Sequence, residues 1–174
     1  LHILGPTGRV GMVVKTGLAT DYRTQDLFGK FVEENRLVSL HDFVNEEGLF
    51  PDVAPPERFC LLTLAGSQIE VDAFEFSFFS TNLEMMRDEE RRYELTQEQI
   101  EGINPNTKGC PTFPNSKVRD ITVKIYSDIP VLVNKEQDRN PWGIKYHRMY
   151  DMTQDTEHFE DNKLESLESG GYNL

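Results

Sequence analysis

Three short apolar runs, with one helix-period segment between the first and the second, constrain most strongly what this chain can fold into. Arg9-Val10-Gly11-Met12-Val13-Val14-Lys15 is continuous and apolar, the pattern of a strand buried in a parallel sheet. Leu37-Val38-Ser39-Leu40-His41-Asp42-Phe43-Val44 predicts a second strand, and Phe59-Cys60-Leu61-Leu62-Thr63-Leu64 a third. Between the first two, Asp21 or Thr24 can cap a helix running to about Asn35. Its apolar residues Leu27, Phe28, Phe31 and Val32 share one face. Strand, helix and strand in this order predict a right-handed parallel crossover and an α/β fold.

Downstream the pattern loosens. Pro55 and Pro56 exclude regular pairing just before the third run. Phe74, Phe76 and Phe78 alternate onto one face of a further strand. Thr96 and Gln99 form a capping box for a short helix ending near Asn104. Ser116 can cap another to about Ser127, with Val118, Ile121 and Ile125 inward. Turn chemistry fills residues 105–113 and Asn140-Pro141-Trp142-Gly143. The chain is therefore expected to divide near residue 80. Residues 1–80 read as the closing portion of an α/β sheet, and residues 81–174 as a smaller, irregular α+β region.

With 174 residues, the chain is long enough for one domain or part of one, burying about two-thirds of its unfolded surface. A net charge of −12 argues against a main DNA clamp, because Lys and Arg supply phosphate binding. The late acidic residues Asp151, Asp155, Glu157, Glu160, Asp161, Glu165 and Glu168 read as a solvated face or a partly ordered tail. No apolar run approaches the ~20 residues that cross a bilayer, and no signal peptide is visible. The chain starts at Leu1 without an initiator Met, so it is expected to begin inside a longer protein. Cys60 and Cys110 make no disulfide framework and no metal spacing, and a reducing, cytoplasmic setting is the default.

Most tempting motifs have plainer explanations. In Gly5-Pro6-Thr7-Gly8-Arg9-Val10-Gly11 the glycines precede a strand. Phosphate-binding glycines follow a strand and open a helix, so this order is reversed for a cofactor loop. Asn104-Pro105-Asn106-Thr107 and Asn140-Pro141-Trp142-Gly143 each echo half of the Asn-Pro-Pro-aromatic motif of amino methyltransferases, but turn formation accounts for both. His2, His41, His147 and His158 have no ligand spacing, and no Ser or Cys nucleophile signature is present. Gly48-Leu49-Phe50-Pro51 differs, because it sets an aromatic ring on a tight turn just ahead of an apolar strand. Either Phe50 is half-buried under its turn, or it offers a flat ring to a flat ligand, as enzymes that extrude a base do.

Five segments in order carry a resemblance. They are Gly8 to Val14, Gly17-Leu18-Ala19-Thr20-Asp21, Leu37 to Phe43, Gly48 to Pro51, and Phe59 to Leu64. Together they resemble the last third of the catalytic domain of N-6 adenine-specific DNA methyltransferases, most closely the type IIG restriction–modification and BREX or DISARM phage-defence kinds. Downstream, Asn104 to Thr107, Ile125-Tyr126 with Pro130 to Leu132, and Asn140 to Gly143 with residues 152–159 agree as well. Lys15 departs from the pattern, since relatives tend to place proline there.

The resemblance implies a partial Rossmann-like methyltransferase sheet whose last strand is antiparallel. Val10–Lys15 and the runs 37–44 and 59–64 would be its fifth, sixth and seventh strands. It implies methyl transfer from S-adenosylmethionine to the exocyclic amine of adenine in DNA, with Phe50 and Pro51 stacking on the target adenine. The cofactor loop and the catalytic motif lie upstream in the family. This chain alone is thus expected to hold no catalytic residue, no metal and no S-adenosylmethionine, and to methylate nothing. Without the preceding strand, Val10–Lys15 becomes an apolar edge, expected to pair with a second chain or to be covered by the end segments. The alternative reading is a non-catalytic interaction or scaffold module.

Overall fold

The computed structural model of the chain describes residues 4–145, 147–151 and 153–155. Its strands are β1 (Arg9–Lys15), β2 (Leu37–Val44), β3 (Arg58–Ala65), β4 (Phe74–Ser80) and β5 (Tyr93–Leu95). They form one mixed sheet in the order β1-β3-β2-β4-β5. β3 lies between β1 and β2 and is antiparallel to both. β1 and β2 therefore run the same way without touching. β4 is parallel to β2, and β5 is antiparallel to β4. The fold is α/β as the sequence predicts, with the third run inserted inside the crossover made by the first two.

The helices are α1 (Gly17–Thr20), α2 (Gln25–Glu33), α3 (Leu83–Arg87), α4 (Gln97–Ile103) and α5 (Ser116–Asp128). α2 buries Phe28, Phe31 and Val32 and leaves Leu27 exposed. Thr24 does not cap it: its hydroxyl donates back to the Gly17 carbonyl at 2.7 Å. The helix stops because Asn35 enters the left-handed region at φ 51°. Arg36 N–H then reaches the Phe31 carbonyl at 2.8 Å and Asn35 N–H the Val32 carbonyl at 3.0 Å, the bond pair of a Schellman ending. α4 carries the expected capping box of Thr96 and Gln99.

Leu40, Cys60, Leu62, Leu64, Phe74, Phe76 and Phe78 pack with Ala19, Phe28, Phe31, Val32 and Ile100 in one buried cluster. Each large side chain so buried contributes roughly 1.5–3 kcal/mol. The cluster crosses the division expected near residue 80. The Tyr93 and Phe76 rings stack at 5.8 Å, and the Tyr93 hydroxyl accepts from Phe113 N–H at 3.0 Å.

Two expectations of burial are corrected. β1 is not a buried strand: Val10 and Val14 pack against the core, while Met12 and Val13 are exposed. β1 is an edge strand, packed on the core through one face and open on the other. In α5 the cap is Asn115, whose side chain accepts from Val118 N–H at 3.0 Å, not Ser116. Val118, Ile121 and Ile125 face outward, and the contact with the core is made by Val123 instead. Periodicity gave the width of the apolar stripe but not the direction in which the sheet lies.

The described residues divide into two units between Trp142 and Gly143. Within the second, Arg148 Nη2 donates to both carboxylate oxygens of Asp155 at 2.7 Å. His2, His158 and the acidic residues from Glu157 to Glu168 lie outside the described residues, as do Met152 and Phe159 of the resemblance. Among the described residues no helix is long and apolar enough to cross a membrane.

Candidate functional site

β2 and β4 are parallel and β3 runs against them, so Val44, Ser80 and Arg58 meet at one end of the sheet. The end of β1 at Lys15 joins them through the Lys15–Phe59 pairing. In open α/β sheets this end, outside the carboxyl ends of the parallel strands, is where ligands bind.

Phe50 sits on the loop that rises from this end. Its ring is 42% exposed and meets the Phe59 ring edge-to-face at 4.8 Å. Phe59 in turn stacks on Phe43 at 5.3 Å, nearly parallel. The loop is fixed by Asn45, which follows β2 and is buried. Asn45 Oδ1 accepts from Phe50 N–H at 2.9 Å, and its amide donates to the Phe50 and Val53 carbonyls at 2.9 and 2.8 Å. Val53 N–H returns to the Phe50 carbonyl at 3.1 Å, closing a turn with Pro51 second, where proline presets the required φ. Gly48 turns the chain toward Phe50 with φ at 69°, a conformation glycine adopts without cost. The ring thus stands half in solvent on a pinned support.

Beneath the mouth lies a buried charge. The Asp42 carboxylate is fully buried and accepts from Thr16 Oγ1 at 2.6 Å, Arg58 Nη2 at 2.6 Å and Phe79 N–H at 2.9 Å. The β2–β4 register shifts here: His41 faces Ser77, but Phe43 faces Ser80. Phe79 falls within the resulting bulge at φ 61°. For a non-glycine residue the left-handed region costs roughly 1–2 kcal/mol. The Arg58 guanidinium lies 4.9 Å from the centre of the Phe79 ring, which remains 38% exposed. Glu47 Oε1 accepts from Thr81 Oγ1 at 2.6 Å and Asn82 Nδ2 at 2.9 Å, and these two bonds hold its carboxyl below the usual range. That contact ties the base of the Phe50 loop to the chain just beyond Phe79.

Further along the sheet, His41 lies between Ser77 Oγ, 2.9 Å from Nδ1, and Glu75, 3.1 Å from Nε2. Burial lowers its pKa; Glu75 opposes the shift and Arg92 adds to it. The thiols of Cys60 and Cys110 are buried. Burial and the nearby Asp42 push Cys60 up to about 12, and burial also raises Cys110. Among the described residues no group of three or more His, Cys, Asp or Glu could hold a metal ion.

Pro105 and Pro141, one from each Asn-Pro segment, both line a cleft of about 420 Å³ together with Glu98, Glu101, Lys108 and Arg139. Asn104 donates to the Gly109 carbonyl at 3.0 Å, and Asn106 donates to Val133 while accepting from Lys135 N–H, both at 2.7 Å. These side chains build turns. In the early glycine turn, the Gly8 carbonyl accepts from Gly66 N–H at 2.7 Å and the Pro6 carbonyl from Gln68 N–H at 2.9 Å. Its carbonyls face the loop that follows β3, and β1, not a helix, leads out of it.

Asp42, Asn45, Arg58 and Phe79 were not singled out in the sequence. Asp42 left a signal: an acid inside an apolar strand run must find a buried partner. Phe79 left none, since nothing marks a phenylalanine for a bulge. Neither a scan against family models nor a search of curated proteins finds a match to this chain.

Proposed function

We propose that this chain is the closing part of the catalytic domain of an N-6 adenine DNA methyltransferase of a restriction–modification or phage-defence system, and that Phe50 and Pro51 form the wall against which the target adenine stacks. The observation that carries this reading is the half-exposed Phe50 ring, held by three Asn45 hydrogen bonds at the carboxyl ends of β2 and β4. The strand order supports it, because the last of the first three strands is antiparallel to the other two. S-adenosylmethionine and the groups that hold the amine would come from residues before Leu1, and DNA would be the parent's partner. The exposed edge of β1, with Val13 56% accessible, would be covered in the assembled protein by another strand or a second chain.

The test is Phe50→Ala in the full-length parent. Stacking is worth ~1–3 kcal/mol per base, so methylation of DNA should fall by about tenfold while the thermal midpoint holds. Unchanged methylation would remove Phe50 from the site. A scaffold role without catalysis is favoured by the outward row Val118, Ile121 and Ile125 on α5. Under that reading, F50A has no effect and Ile121→Glu abolishes association with the partner.

A further inference from the structure

We infer that Phe79, backed by Arg58, is a second stacking surface at the same end of the sheet and takes a nucleobase. A phenylalanine at φ 61° in a bulge is an expensive way to end a strand. The cost is sustained by two specific contacts: the buried Asp42 carboxylate holds the Phe79 amide at 2.9 Å, and Arg58, fixed on the same carboxylate by Nε and Nη2, lays its guanidinium 4.9 Å from the ring centre. What this arrangement produces is an aromatic ring 38% open to solvent rather than a core residue. Its neighbours Phe74, Phe76 and Phe78 are all fully buried. The cation lies over the ring and the tilted Phe78 ring packs beside it with centroids 6.0 Å apart; the part still open to solvent suits a flat π-system, the ligand chemistry that aromatic and Arg platforms share in single-strand binding. The Glu47 bonds to Thr81 and Asn82 keep this platform and the Phe50 loop on one support.

The ligand class rests on the methyltransferase reading, while the platform itself does not. The probe is a short single-stranded oligodeoxynucleotide carrying one 2-aminopurine, titrated into the full chain at low salt, with stacking read as fluorescence quenching. Phe79→Gly removes the ring and relaxes the backbone. It should keep or raise the thermal midpoint while weakening binding by about fivefold or more. Phe79→Asn, which also tolerates this conformation, serves if the glycine variant does not fold. If F79G binds as the parent chain does, or if the parent chain does not quench the probe, the inference is overturned. Phe50→Ala run alongside separates the two ideas. Loss with F50A alone overturns the Phe79 platform and leaves the Phe50 reading standing. Loss with F79G alone supports the platform and removes Phe50 from it.

Discussion

The Arg58 guanidinium reaches the fully buried Asp42 carboxylate through two nitrogens, Nη2 at 2.6 Å and Nε at 3.2 Å. The pair joins adjacent strands, and its arginine is only one-third exposed while its acid has no water contact. Removing the cation leaves a buried charge with only a hydroxyl and an amide. Arg58→Met should therefore destabilise the fold by about 3 kcal/mol, the lower end for a broken buried pair because Arg58 is partly solvated. The difference in urea midpoint at constant slope measures it, and a shift under about 1 kcal/mol would place the pair among surface ion pairs.

Asn45 makes both kinds of hydrogen bond to the Phe50 loop, one accepted and two donated. Asn45→Ala should cost about 2 kcal/mol in stability and release the loop. Asn45→Asp should be no better, since a carboxylate can accept from Phe50 N–H but cannot donate to the two carbonyls. Amide exchange at Phe50 and Val53 should accelerate in both variants. Protection equal to that of the unaltered protein would mean the turn holds itself.

His41 gives the fold a pH dependence with a definite sign. Its pKa in the folded chain lies below the ordinary 6.5, mainly because burial disfavours the charged form. The unfolded chain then binds the proton more readily, so the stability present above pH 6.5 is lost as pH falls through the folded value. The 3.1 Å contact with Glu75 pulls the other way but is outweighed by burial and by Arg92. Urea midpoints should fall on going from neutral to mildly acidic pH, and His41→Gln should flatten that part of the profile. A profile unaltered by H41Q would assign the dependence to carboxylates.

Both thiols should be silent toward a thiol reagent at mildly alkaline pH. Cys60 ionises near 12 and Cys110 is raised as well, so the reactive thiolate is scarce in the folded chain. Both should react at once in denaturant. Rapid labelling of the native protein would mean that the core opens on the time scale of the reagent.

Much of the sheet was legible because its strands are written as apolar runs bounded by Gly, Pro and Asn. The capping box at Thr96 and the Phe74, Phe76, Phe78 face were readable for the same reason: each is a local pattern with a local physical cause. The outward turn of Val118, Ile121 and Ile125 was not, because a helix's own sequence does not say where the sheet lies. The exposure of β1 was missed in its burial and foreseen in its edge position, since its neighbours are set by strands far along the chain. At the candidate site, Phe50 and Pro51 announced a turn, whereas Asn45 and Arg58 owe their roles to partners that sequence spacing does not reveal.

The insertion of β3 between β1 and β2 also sets an order of assembly. Arg9 pairs with Ala65 and Lys15 with Phe59, so no residue of β1 has its β3 partner until Phe59 has left the ribosome, and the ladder is complete only with Ala65. β1 must wait for β3, and pairing so distant in sequence is slow. During synthesis the Val10, Met12, Val13 and Val14 stretch is an unguarded sticky end. The nascent chain would be most open to chaperone capture, or to clumping with its neighbours on the same message, in the interval before Ala65 emerges.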